Sequence, residues 1–217
     1  MWQWNIVKII DHKLKQAKWL ASPNYNSRPD RAISMLVMHN ISLPPKQFGG
    51  GYIEDFFCNQ LDCQAHPYFD EIKALQVSAH LLIKRDGAMT QFVPFNERAW
   101  HAGVSEFNGE TNCNDFSIGI ELEGADDVPY TAKQYEVLSE VTQCLQAHYP
   151  QITQNRIVGH DQIAPGRKTD PGESFDWSYF QQLIKEAKSW SSLYCCLRFY
   201  CSAKPSIKGI SEIMHGT

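Results

Sequence analysis

The stretch Phe116-Ser-Ile-Gly-Ile-Glu-Leu-Glu123 decides the fold. Phe116, Ile118, Ile120 and Leu122 alternate with Ser117, Gly119, Glu121 and Glu123, the period-two pattern of a strand with two unlike faces. Glu121 therefore projects from the face opposite the aliphatic residues, and Glu123 reads as an exposed strand carboxylate. Upstream, the apolar run at residues 33–38 suits a buried strand and leaves His39 where that strand runs out. Residues 77–84 and 89–93, joined through Arg85-Asp86-Gly87, carry a hairpin signal in which the glycine supplies the turn's positive φ. Downstream, Thr131-Ala-Lys-Gln134 has the form of a capping box, and Tyr135, Leu138, Val141 and Leu145 recur at helical spacing until Pro150. A short strand at 156–158 leads to His160, followed by a Gly/Pro-rich loop and a helix from about 176 to 190. Pro67 starts a short helix, and residues 14–20 carry the end of a helical pattern stopped by Ser22-Pro23. Pro44-Pro45 and Gly49-Gly50-Gly51 cannot be regular structure and mark a loop over one end of the sheet, a candidate lid. The interleaving predicts a single α/β domain, a central mixed β-sheet flanked by helices. Residues 1–20 are expected to be an N-terminal helical extension, 21–187 the domain, and 188–217 a poorly ordered tail.

Composition supports one folded unit. In 217 residues, 43% are hydrophobic and 12% aromatic, enough to bury roughly 70% of the extended surface without a metal or disulfides as staples. Twenty Lys+Arg against 24 Asp+Glu leave a net charge of −4. With no dense basic run, neither nucleic acid nor an anionic membrane surface is an expected partner. Every apolar stretch falls far short of a membrane span. The N-terminal segment has scattered polar residues and no small-residue cleavage site, so a cytoplasmic location is expected. The seven cysteines then read as reduced thiols, with Cys58, Cys63, Cys113 and Cys144 in the body and Cys195, Cys196 and Cys201 in the tail.

Eight histidines are present, and no HExxH pair selects two of them. His39 and His160 stand out by position, since both follow short apolar strands and lead into loops, the usual place for α/β sites. The loop Gly159-His-Asp-Gln-Ile-Ala-Pro-Gly-Arg-Lys-Thr-Asp-Pro-Gly172 sets a histidine, a lysine and an aspartate among glycines and prolines. A bound cation would order such a loop. The alternative is a solvated loop with Lys168 and Asp170 as an exposed ion pair that contributes little.

The sequence resembles the AmpD family of cytosolic N-acetyl-anhydromuramyl-L-alanine amidases, part of a wider group of zinc amidases that includes peptidoglycan-recognition proteins. The resemblance is carried by Val37-Met-His-Asn-Ile-Ser-Leu-Pro-Pro45, Ala65-His-Pro-Tyr-Phe69, Val77-Ser-Ala-His80, Arg98-Ala-Trp-His-Ala-Gly103, residues 114–124 and the 159–172 loop, in order across roughly residues 20 to 185. It implies one Zn²⁺ held by His39, His160 and Asp170, a three-ligand set with an open fourth position, which is the catalytic arrangement of zinc. It also implies that Glu121 deprotonates the attacking water and passes the proton to the leaving amine, and that Lys168 stabilises the oxyanion. The implied substrate is an anhydromuropeptide of cell-wall recycling, cut at the lactyl to L-alanine amide by a monomeric enzyme. Asn40 is then a candidate for binding the peptide backbone, Trp100 a platform for the sugar, and Arg98 and Arg167 the basic groups for stem-peptide carboxylates. Gln76 and Asn112 stand where the family pattern leads one to look for arginine. His80 and His101 read as core residues or as supports for a ligand. Two rivals remain at this stage: a lytic amidase of intact wall, which needs export, and a non-catalytic muropeptide-binding module. All five catalytic positions hold competent residues, which speaks against the latter.

Overall fold

The computed structural model describes residues 7–186. Six strands, β1 (Lys18–Trp19), β2 (Met35–Ile41), β3 (Leu81–Ile83), β4 (Met89–Gln91), β5 (Ser117–Glu123) and β6 (Ile157–Gly159), form one sheet in the order β6-β2-β5-β3-β4-β1. All neighbours run parallel except β3 and β4, which make the expected hairpin. Four helices, α1 (Tyr52–Phe57), α2 (Pro67–Ile72), α3 (Ala132–His148) and α4 (His160–Ile163), surround it, and residues 177–186 are also helical. The α/β class with a mixed sheet is thus as the sequence predicts.

Every residue of β5 is buried, as befits a central parallel strand covered on both faces. On one face Ile118, Ile120 and Leu122 join Leu36 and Met38 of β2 against Leu138, Val141 and Leu145 of α3 and Phe180 and Ile184 of the last helix. Helix α3 begins with the predicted capping box, in which Thr131 Oγ1 accepts from Gln134 N and Gln134 Oε1 accepts from Thr131 N, both at 3.1 Å. The opposite face carries two separate apolar clusters. One packs Leu82 and Phe92 under Phe56 and Phe57 of α1 and Phe69 of α2; the other joins Met35 and Val37 to Val158 and Ile163. Polar side chains of β2 and β5 emerge on this second face, at the carboxyl ends of the parallel strands.

Three expectations need correction. Residues 9–19 form no helical extension: Ile9–Ile10 pairs with Lys13–Leu14, and β1 adds an edge to the main sheet. A seven-residue apolar pattern is too short to hold a helix by itself, whereas Leu14 N donates to Gln91 Oε1 and Leu20 N to Gln91 O. Phe116 precedes the strand and packs on the opposite face from Ile118. Glu123 is buried, accepting from Gly49 N at 2.5 Å and Arg85 N at 3.1 Å. The Gly49 bond fastens the 44–51 loop to the sheet, and Lys46 ties it to Asp127 beyond the strand; α1, absent from the sequence expectations, follows the loop directly. The expected tail at 188–217 lies outside the described residues.

Candidate metal centre

His39 lies near the end of β2, and the parallel register sets it directly beside Glu121 of β5. His160 follows β6, the other neighbour of β2, so two adjacent strands deliver both imidazoles to one edge of the sheet. Asp170 comes from the loop that returns after α4, where Asp161 N donates to the Asp170 carbonyl at 3.0 Å. The three side chains meet: His39 Nδ1 is 3.0 Å from His160 Nδ1 and 3.0 Å from Asp170 Oδ2, and His160 Nδ1 is 2.9 Å from the same oxygen.

Proton bookkeeping shows what this triangle needs. His160 Nε2 faces the Ala102 carbonyl at 3.2 Å, which can only accept, so Nε2 carries the hydrogen and Nδ1 a lone pair. Ser117 Oγ donates to the Cys113 carbonyl at 2.6 Å and accepts from His101 Nε2 at 3.1 Å. His101 Nδ1 is then an acceptor, and His39 Nε2–H donates to it at 2.9 Å, which again leaves Nδ1 bare. Burial holds His39 down to about 4, with the neighbouring carboxylate opposing, so its ring is neutral at physiological pH. Asp170 Oδ2, within 3.0 Å of both Nδ1 atoms, is the third donor. Three lone-pair donors converge with no proton among them, and a cation relieves that repulsion. A tetrahedral ion with bonds of about 2.0–2.1 Å would separate its ligands by about 3.3 Å, close to the edges observed. Among the described residues this is a donor set able to hold a metal ion, and its atoms fit a small divalent cation.

Glu121 is buried on the same face, and its Oε2 has no hydrogen-bond partner among the described residues. Burial, and then the Asp170 carboxylate, push its carboxyl well above the ordinary range, while Lys168 pulls the other way. An unpartnered buried carboxyl is costly unless something uses it.

Beside the donors lies a cleft of about 660 Å³ lined by Asn40, Lys46, Asp126, Arg167, Lys168 and Asp170, among others. Asn40 Nδ2 donates to Asp126 Oδ1 at 2.7 Å. Arg167 lines the cleft too, but its Nη2 braces the carbonyls of Ala102 and Val104, both at 2.7 Å. Arg98 and Trp100 are not among the lining residues. The Arg98 guanidinium is engaged by Asp115 and Asn26, and Trp100 Nε1 donates to Asn26 Oδ1 at 2.7 Å. The Arg98 charge is thus already paired with Asp115. The sequence reading left the use of His101 open; the structure places it against a donor.

Among the described residues no helix is long and apolar enough to cross a membrane. The family model of the N-acetylmuramoyl-L-alanine amidases matches residues 29–173. A 1,6-anhydro-N-acetylmuramyl-L-alanine amidase AmpD from Haemophilus influenzae is 54% identical over 173 residues, 79% of this chain and 94% of the relative. The crystal structure of a selenomethionine AmpD derivative shares 54% identity and a TM-score of 0.79, covering 81% of this chain and 98% of that one. A complex of the Escherichia coli amidase AmiD with the substrate anhydro-N-acetylmuramic acid-L-Ala-D-gamma-Glu-L-Lys is 27% identical with a TM-score of 0.51, covering 82% of this chain and 65% of that one.

Proposed function

Since the chain belongs to the N-acetylmuramoyl-L-alanine amidase family, we propose that it hydrolyses the amide joining the lactyl group of 1,6-anhydro-N-acetylmuramic acid to the L-alanine of a stem peptide, using one zinc ion held by His39, His160 and Asp170. The reaction belongs to peptidoglycan recycling in the cytosol, and its substrate is an anhydromuropeptide. The observation that carries this reading is the meeting of three proton-free donors beside a buried carboxyl whose Oε2 has no partner among the described residues. Two imidazoles and a carboxylate leave a coordination position open, the pattern of hydrolytic rather than structural zinc.

Zinc in that position supplies a Lewis acid that polarises the amide carbonyl and lowers the pKa of water to about 7. The remaining work falls to the chain. Glu121 Oε2, with no competing partner, takes the proton of the attacking water and delivers it to the departing L-alanine nitrogen. Its raised proton affinity suits it to hold that proton between the two transfers. Lys168, exposed on the rim of the cleft, places an ammonium where the carbonyl oxygen becomes negative. Asn40, fixed through Asp126, offers its carbonyl oxygen to a peptide N–H of the stem. Arg167, already bracing two carbonyls, presents a fixed positive charge for a stem-peptide carboxylate.

Mass spectrometry of an anhydromuropeptide tests the reading, with protein as purified, chelated, and chelated with zinc restored. Released stem peptide is expected in the first and third samples. Intact substrate in all three would overturn the amidase and favour the binding module.

A further inference from the structure

Behind His39 lies a chain of contacts that the proposed reaction does not itself use. His101 stands edge-on to His39, with ring centroids 5.0 Å apart and planes at 84°. Its Nδ1 accepts from His39 Nε2 at 2.9 Å, and its own Nε2–H goes to Ser117 Oγ at 3.1 Å, which in turn donates to the Cys113 carbonyl at 2.6 Å. The direction of every bond in this series is set by its far end, because a carbonyl cannot donate.

A second, independent observation concerns where the ring sits. His101 lies flat on Gly119 of β5, and a Cβ at that position would fall 2.4 Å from its Cγ, 2.5 Å from Nδ1 and 2.8 Å from Cδ2. A glycine inside a buried strand costs stability and marks a close approach. Here the approaching group is this imidazole. The backbone that carries it is held as well: Asn114 Oδ1 accepts from His101 N at 3.1 Å and from Ala102 N at 2.8 Å. Ala102 in turn offers its carbonyl to His160 Nε2. The dipeptide His101-Ala102 therefore supplies the orienting acceptor for both imidazoles of the triangle.

We propose that His101, seated on Gly119 and anchored by Ser117, is a positioning residue that locks His39 in the tautomer whose Nδ1 lone pair faces the metal. The inference rests on the zinc reading above. Acceptors behind a ligating imidazole typically govern affinity by about 10–100-fold. Gly119 has a function in this account, since it makes room for the lock.

The test measures zinc affinity of the full chain by competition with a fluorescent chelator, and the protonated nitrogen of His39 by long-range ¹H–¹⁵N imidazole spectra of the zinc-loaded protein. His101→Phe keeps a flat ring of similar size and removes the acceptor; it should weaken zinc by about 10–100-fold. His101→Asn places an amide oxygen where Nδ1 was and should recover most of that loss. Gly119→Ala, with every donor intact, should displace the ring and weaken zinc as His101→Phe does. The wild-type spectrum should show a slowly exchanging His39 Nε2–H that the His101→Phe variant loses. A folded His101→Phe protein with wild-type affinity overturns the proposal, and so does a His101→Asn protein as weak as His101→Phe, which would make the role packing alone. Wild-type protein that retains no stoichiometric zinc overturns the metal reading and this inference together, so the two failures are told apart.

Discussion

Gly172 and Gly166 lie in the same loop and both have left-handed backbones, at φ +81 and φ +76, yet alanine should be tolerated far better at one than at the other. At Gly166 a new Cβ meets nothing within 4 Å, so Gly166→Ala costs only the conformational penalty, about 1 kcal/mol. At Gly172 the Cβ would stand 2.2 Å from Asp126 Cα and 2.6 Å from Asp126 O. Backbone cannot swing aside as a side chain can. The loop also holds this place through Ser174 N, which donates to Asp126 O at 2.9 Å. Overpacking of this kind adds about 1–3 kcal/mol, for a total of about 2–4 kcal/mol. With about 2–4 °C per kcal/mol for a domain of this size, thermal denaturation should show a loss of about 10 °C for Gly172→Ala against about 3 °C for Gly166→Ala. The shift of the loop should also draw Asp170, two residues earlier, away from the imidazoles, so the Gly172 variant alone should bind zinc more weakly in a chelator competition. Equal melting temperatures for the two variants, or a Gly172→Ala protein with wild-type zinc affinity, would refute the claim that packing against Asp126 sets the position of the third donor.

Lys168→Ala should retain stoichiometric zinc and lose about a hundredfold to a thousandfold in kcat, as read by metal analysis beside turnover. His160→Ala should lose both, and stoichiometric zinc in that variant would contradict the donor assignment. Glu121→Gln should keep zinc and the fold while turnover collapses; a variant as active as wild type would remove Glu121 from the proton transfers. In metal-free protein, burial holds His39 to about 4 and His80 and His101 well below their ordinary value. Below about pH 6.5 the unfolded chain therefore binds more protons than the folded one, and urea titrations should show stability complete above that pH and falling as acid is added, by up to about 1.4 kcal/mol per pH unit for each histidine.

The elements that the sequence displays most plainly are those whose information is local. The alternation along Ser117–Glu123 needs only a period of two, and the Thr131 and Gln134 capping box needs four residues. Features decided by distant partners are hidden. Glu123 reads as exposed because its donors, Gly49 and Arg85, lie 74 and 38 residues away. Helix α1 opens on Gly51 without a side-chain cap, so the glycine run before it conceals its start. Residues 9–19 lose their helical pattern to the edge of β4, through Gln91. The donors His39 and His160 are 121 residues apart. Their strand-end positions make both stand out, but their meeting depends on the order β6-β2-β5, which no periodicity reports; the family resemblance is what joins the two with Asp170 into one donor set. For His101, the residues themselves offered no way to choose between core and support.

One strand explains why the pieces of this site stay in step. Along β5 the residues of one parity, Ser117, Gly119 and Glu121, point to the same face at spacings of about 7 Å, and each has a separate task. Ser117 anchors His101, Gly119 leaves room for its ring, and Glu121 stands beside His39 in the register with β2. The other parity, Ile118, Ile120 and Leu122, is committed to the core under α3. A slip of one residue would turn all six side chains over, burying a carboxyl, a hydroxyl and a bare glycine among leucines and valines while exposing three large aliphatic groups to the cleft. The hydrophobic cost of that slip is what holds the polar set in place. Core packing thus enforces the alignment of the donor, its positioning residue and the proton carrier, and no contact among those three has to hold the register by itself.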